Sequence, residues 1–485
     1  MTRTDALNYV HPLQPGEADQ RSGQSLCNPC SYLFLAKDPV SISRRERMKR
    51  ALAALTGVLL TLLGAGAVLA FQRATGSGQT AAAAETQRGS GAIVVDWNKQ
   101  LVKIVNTPGA QPATVHPTRS FAIMHAAIYD SVVSITHGGS PYLFSLSAPP
   151  GARADAAAAE AGHDTLVALY PSMKAALDQQ LAGELATIPD GVAKGQGVQV
   201  GHLTAAFMLS ARVDDGSEVT LPPFVGGTQP GDWRPAPPTF APAVFTQWSL
   251  VTPFVLDKAD QFRPAAPPVL TSPSFAQALN EVKSLGQNSS TSRTADQTVV
   301  AKFWPGPIWT TWNEIAEKSA LAHHTDLVRT ARLFALLDLS LADATIAFYD
   351  AKYHFHLWRP ITAIREADND VNPATAGDPS WTPLLATAPD PSYPGAHSAI
   401  SGAAAAVLAG FFGDNDRITV TSDVLSGVTR SFNSYSAAAS EAGLSRIYGG
   451  VHTRIDHEAG LKQGHDVARF VLERAGSSGF GLSGN

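Results

Sequence analysis

The sequence predicts an all-α protein built as packed helical bundles, and three observations carry that expectation. Apolar residues recur at helical spacing in segment after segment. Runs that alternate apolar and polar residues over a useful strand length are missing. A long Pro/Gly-rich stretch, residues 214–270, separates two helical halves. With 485 residues, 44% of them hydrophobic and 16% charged, the chain can bury a large core. A net charge of -5 gives no bulk attraction for nucleic acid, so no nucleic-acid partner is expected. An anionic substrate would need local cations.

The N-terminus reads as targeting sequence. "RRERMKRALAALTGVLLTLLGAGAVLAF", residues 44–71, is a basic cluster followed by an apolar run without a charge. Residues 48–71 are expected to be a signal peptide or a membrane anchor, with Met48 as the true start and 1–47 as an upstream extension or disordered segment. The protein is therefore expected to be exported, either secreted or anchored at the outer face of the cytoplasmic membrane. Cys27 and Cys30 precede this signal and would be lost, leaving a mature chain without thiol chemistry. Residues 72–92, rich in Gly, Ser, Thr, Ala and Gln, read as a linker.

Two structured regions follow. An N-terminal half, 93–269, holds helical patterns at 119–135, 154–170, 173–185 and 197–213, then the proline-rich loops. A C-terminal half, 270–475, holds helical patterns at 273–285, 293–303, 312–323, 325–357, 397–412, 415–442 and 455–474. The loop region is expected to cover something, as long ordered loops often do. His125, His163 and His202 lie on apolar helical patterns and read as satisfied core histidines. His323, His324, His457 and His465 read as surface residues or as supports for a site.

Three segments in the C-terminal half carry chemistry. In "DAKYHFHLWRPITA", Lys352 and Arg359 are seven apart, two helical turns, which puts both cations on one face near a helix end that Pro360 then breaks. An arginine fork beside a lysine point charge can clamp an anion, although a solvated basic face would look the same. In "YPGAHSA", His397 falls in the first turn of a helix, where free N–H groups favour an anion. A structural histidine there is the plain alternative. In "SRIYGGVHTRIDHEAG", Gly449 and Gly450 let Arg446 and His452 converge across a turn. Asp456, one turn past His452, can hold the proton on one ring nitrogen and leave the other free as nucleophile or ligand. A capping histidine with a helical partner is the competing reading. "HEAGL" lacks the second histidine of a zinc protease, and His354 and His356 point to nearly opposite faces.

Together these residues are an inventory for a tetrahedral oxyanion: cations for its oxygens, one histidine for the central atom, another for acid/base work. Lys-x6-Arg-Pro, then Pro-x-x-His, then Ser-Arg-x5-His-x3-Asp resembles the three-part signature of the type 2 phosphatidic acid phosphatase / vanadium-dependent haloperoxidase superfamily. "WNEIA" and "DAKYHFHLWRPITAIREAD" look most like its haloperoxidase-related branch. The resemblance covers about residues 95–475. It implies that Lys352, Arg359 and Arg446 bind the oxygens of vanadate or phosphate, with the main-chain N–H of Ala396 as a further donor. It implies that His452 is the vanadium ligand or the phosphorylated nucleophile, Asp456 its orienting partner, and His397 the acid/base. Tyr349 lies where halide-pocket aromatics are found in relatives, or is a core aromatic. The family's Pro-Ser-Gly-His is Pro394-Gly395-Ala396-His397 here, so one hydroxyl donor is missing.

The implied function is that of a vanadium-dependent haloperoxidase-like oxidoreductase, with vanadate as cofactor and hydrogen peroxide, halide and a small organic acceptor as partners. An acid phosphatase hydrolysing phosphomonoesters through a phosphohistidine is the alternative. A non-catalytic oxyanion-binding helical protein is a second.

Overall fold

The computed structural model describes residues 91–477. The expectations for residues 1–47, for the 48–71 targeting segment, for Cys27 and Cys30, and for most of the 72–92 linker lie outside the described residues. Among the described residues, thirteen α-helices and one two-stranded hairpin make up the regular structure. No described helix is long and apolar enough to cross a membrane.

The first half contains α1 (Ala92–Val105), α2 (Pro117–Thr136), α3 (Ala154–Leu169), α4 (Lys174–Ala186) and α5 (Val192–Arg212). The second contains α6 (Pro273–Gly286), α7 (Ala295–Phe303), α8 (Ile308–Ala322), α9 (Leu327–Phe355), α10 (Pro360–Arg365) and α11 (Ala396–Phe412). It ends with β1 (Ile418–Thr421), β2 (Thr429–Phe432), α12 (Tyr435–Tyr448) and α13 (Arg454–Ser477). Local chemistry marks many of these boundaries. Ser272 accepts from Phe275 N ahead of Pro273 at the first position of α6, Thr294 and Gln297 form a capping box on α7, and Asp326 caps α9.

The 29-residue α9 is the longest helix among the described residues, and most of its side chains are buried. It packs against α2 on one side and against α11 and α13 on the other, and one hydrophobic core runs from Val94 to Ala475. A smaller core around Phe275, Trp358 and Trp381 sits beneath α10. The backbones of α11 and α13 come unusually close. A Cβ on Gly464 would lie 1.8 Å from the carbonyl oxygen of Ala399, and one on Gly460 would lie 2.4 Å from that of Gly395. Only glycine permits this approach, which brings the first turns of α11 and α13 together.

The proline-rich segment does cover the region where the second-half segments meet. Trp233 N donates to His356 O at 2.7 Å, Trp358 N to Gly231 O at 2.8 Å, and Val244 N to Pro389 O at 3.2 Å. Tyr353 and Tyr393 donate their hydroxyls back to Val244 O and Ala265 O. Asp343 on α9 accepts from the N–H groups of Phe254, Val255 and Leu256, at 2.6, 2.7 and 2.8 Å.

Three expectations are corrected. Residues 415–442 do not form one helix: the β-branched run Ile418–Thr421 pairs antiparallel with Thr429–Phe432, and α12 starts only at Tyr435. Each strand is four residues long: β1 alternates, with Ile418 and Val420 buried and Thr419 and Thr421 exposed, but over too short a run to stand out, and β2 does not alternate. Lys352 and Arg359 do not share a helix. His356 adopts a left-handed conformation (φ 36°) and closes α9, and Arg359 is the N-cap of α10. Pro360 therefore starts a helix instead of breaking one, since its fixed φ and missing N–H suit the first helical position. His202 is not in the core; its side chain is 58% exposed.

Asp338, in the middle of α9, is fully buried, accepts from Asn313 Nδ2 at 3.0 Å and lies 3.6 Å from His125 Nε2. Burial pushes its carboxyl from 3.8 up to about 8, and the Asn313 hydrogen bond offsets only part of this. The folded chain thus holds this proton more tightly than the unfolded chain does. The associated stability is complete below the ordinary carboxyl pKa and is lost as pH rises towards about 8. Asp338→Asn is expected to show a flatter decline in urea-unfolding free energy across that window. A variant that declines as steeply as wild type would contradict the assignment.

Candidate active site

The site is assembled at three junctions between elements. Lys352 occupies the last turn of α9 and is completely buried. Its ammonium faces Pro391 O, Ser392 O at 3.2 Å and Asp390 Oδ2 at 3.2 Å. These three acceptors match the three hydrogens of a lysine. Arg359, also buried, donates through Nε to Asp390 O at 2.7 Å and through Nη2 to Asp390 Oδ1. Its Nη1 reaches Val451 O at 2.9 Å and His452 Nε2 at 3.1 Å.

Arg446 stands in the last turn of α12. Its carbonyl accepts from Val451 N at 3.0 Å and His452 N at 3.3 Å, closing the turn on which His452 hangs. Gly450 makes that turn possible: its φ is 79°, and a Cβ there would lie 2.4 Å from Gly286 O. The Arg446 guanidinium is buried, and its Nε and Nη1 have no hydrogen-bond partner. Buried donors of this kind are costly unless something accepts from them.

Thr453 and Asp456 form a capping box at the start of α13. Thr453 N donates to Asp456 Oδ2 at 2.7 Å, and Asp456 N to Thr453 Oγ1 at 3.3 Å. The same Oδ2 accepts from Ser392 Oγ at 2.7 Å and faces His452 Nδ1 at 3.2 Å. A carboxylate accepts only, so Nδ1 carries the proton and Nε2 keeps its lone pair. Burial and the Arg359 charge hold the His452 imidazole at about 3, against the opposing pull of Asp456. It is neutral at physiological pH with its lone pair on Nε2.

His397 occupies the first turn of α11, beside Ala396, whose N–H belongs to the set with no partner inside the helix. Its Nε2 donates to Trp304 O at 3.1 Å, which leaves Nδ1 as the basic nitrogen. Burial and then the charges of Arg446 and His452 keep this ring well below its usual pKa. The structure therefore brings Lys352, Arg359, Arg446, His452 and Asp456 into one network and sets His397 within electrostatic reach of Arg446, Arg359 and His452. Tyr349 packs against Phe245, Phe348 and Tyr353 as a core aromatic. Ser398 turns away, its Oγ 2.9 Å from Nδ1 of the buried His457. A Cβ on Gly395 would lie 3.1 Å from Asp456 O, so a serine there requires the first turn of α13 to give by a few tenths of an ångström.

Two residues of the site escaped the sequence. Ser392 supports Asp456, and Asp390 pairs with both Lys352 and Arg359. Burial raises a carboxyl, yet the Lys352 and Arg359 charges hold Asp390 down at about 2. Both precede the Pro-x-x-His motif in "PDPSYPGAH", where a loop aspartate and serine carry no distinguishing spacing.

Residues 332–478 match the family model described as the VCPO second helical-bundle domain. Vanadium chloroperoxidase from Curvularia inaequalis is 28% identical over 247 residues, which cover 38% of this chain and 38% of that protein. The chain thus matches well under half the length of this curated relative. A crystal structure of a bacterial vanadium-dependent iodoperoxidase aligns with a TM-score of 0.69 and 28% identity, covering 79% of this chain and 96% of that one. A holo-type bacterial vanadium-dependent chloroperoxidase aligns with a TM-score of 0.58 at 15% identity over 73% of this chain and 90% of that one, a likeness of fold.

In histidine NMR, neither His452 nor His397 is expected to take up a proton as pH is lowered from 8 towards their ordinary value of 6.5. A midpoint near 6.5 for either would contradict the electrostatics described.

Proposed function

We propose that this chain, related through its fold and its second helical bundle to the vanadium haloperoxidases, is an exported enzyme that binds vanadate and oxidises halide with hydrogen peroxide. The observation that carries the proposal is the Arg446 guanidinium, buried with two unpartnered nitrogens on the residue whose carbonyl holds the His452 N–H, together with an unprotonated His452 Nε2 that accepts from Arg359 Nη1 at 3.1 Å. Hard cationic donors and an imidazole lone pair are the donor set that a tetrahedral vanadate needs.

Each residue has a derived part. Arg446 donates to the oxyanion, and Arg359 and Lys352 add positive charge behind it. His452 would offer Nε2, which accepts from Arg359 Nη1 in the free chain, as a ligand to vanadium. Asp456 fixes its tautomer and ring angle, with Ser392 and Thr453 fixing Asp456 in turn. His397, a neutral imidazole with a basic Nδ1, accepts a proton from peroxide as it enters. Bound vanadate supplies Lewis-acid activation of peroxide towards attack by halide. The same Nε2 lone pair could attack a phosphomonoester, so phosphatase activity is measured alongside.

The full chain, incubated with orthovanadate, is expected to brominate a 1,3-dione in the presence of peroxide and to release little p-nitrophenol from its phosphate ester. Robust phosphate release without bromination would replace the proposal with the phosphatase reading. His452→Ala is expected to lower bromination by ~100-fold or more, because it removes the metal's ligand. Asp456→Asn is expected to weaken vanadate binding about 10–100-fold while leaving the fold intact. Equal vanadate affinity in Asp456→Asn and wild type would show that the carboxylate does not act through His452.

A further inference from the structure

The cradle contains a charge that the oxyanion inventory did not include. Asp390 is 5% exposed, and its two carboxylate oxygens face the two cations Lys352 and Arg359. Segment Asp390–Ser392 accepts all three hydrogens of Lys352, and Asp390 alone accepts from two of the three Arg359 nitrogens. Arg446 is the cradle cation with unpartnered nitrogens. Asp456 is the site's other carboxylate, but its hydrogen-bonded oxygen is turned to His452, Thr453 and Ser392.

We propose that Asp390 is the residue that sets the anion charge this site accepts, so that the cradle selects singly charged tetrahedral oxyanions over doubly charged ones. The inference rests on the oxyanion-site reading above and deepens it. Three cationic side chains, Lys352, Arg359 and Arg446, stand with two carboxylates, Asp390 and Asp456, and with two imidazoles that each donate one N–H to an oxygen and keep the other nitrogen unprotonated, which leaves one positive unit in a buried site. A monoanion brings that balance to zero. A dianion leaves one uncompensated negative charge where the dielectric is low, within reach of the Asp390 carboxylate. It also needs more donors, and those of Lys352 and most of those of Arg359 are already engaged. The selected species would be the singly charged, partly protonated form of vanadate or phosphate.

Perrhenate and tungstate test this without catalysis, because both are tetrahedral oxyanions whose charges, one and two, stay fixed near neutral pH. Isothermal titration of the full chain is expected to show perrhenate binding at least about tenfold tighter than tungstate. Asp390→Asn removes the charge and keeps the shape, and is expected to move the ratio about tenfold towards tungstate. A tungstate preference in wild type overturns the inference, and this arm decides the matter even if the variant does not fold. A folded Asp390→Asn with an unchanged ratio also overturns it, while the oxyanion site itself stands. Binding of neither anion to either protein would remove the site reading and this inference with it.

Discussion

The Asp456 carboxylate is the interaction on which the site depends. It closes the capping box that starts α13, holds Nδ1 of His452, and anchors Ser392 from the segment before α11. Its own carbonyl accepts from Gly395 N at 2.9 Å, which ties the first turn of α11 to the first turn of α13. One residue therefore sets a helix start, a tautomer and the distance between the two histidine-bearing turns. The cost of burying that charge is offset because Oδ2 receives several hydrogen bonds, which together hold the carboxyl below its usual range despite burial.

Close backbone packing makes this arrangement rigid. Gly460 and Gly464 let α13 lie against α11 at distances no side chain would allow, and Gly450 seats the Arg446–His452 turn against Gly286. The proline-rich segment then fastens to both ends of the α9–α10 connection through Trp233 and Trp358. A site of buried like charges would otherwise push itself apart. Here the repulsion among Lys352, Arg359 and Arg446 is opposed by a scaffold with little freedom to yield and by the Asp390 carboxylate.

Much of this was legible in the sequence. Helical periodicity located most of the helices, because an apolar stripe at 3.6 spacing is a one-dimensional signal. His452 and Asp456 were legible because their partnership is local, one helical turn apart. Arg446 was legible because Gly449-Gly450 announces a turn. The hairpin at Ile418–Phe432 was not, since four-residue strands carry too little pattern. The α9–α10 break was hidden because nothing in "HFHLW" announces the left-handed His356. Asp390 was hidden for another reason. Its partners lie 31 and 38 residues away in sequence and meet it only in the folded chain. The resemblance named the cations of the cradle and was silent on the counter-charge that this chain places among them.

The central claim is that one tetrahedral oxyanion seats between Arg446 and His452. A crystal structure of the full chain grown with orthovanadate tests it most directly. The account predicts vanadium within bonding distance of His452 Nε2, with an oxygen accepting from the Arg446 nitrogens that have no partner in the protein. Vanadate bound elsewhere, or a site in which Arg446 still has no acceptor at saturating vanadate, would contradict it.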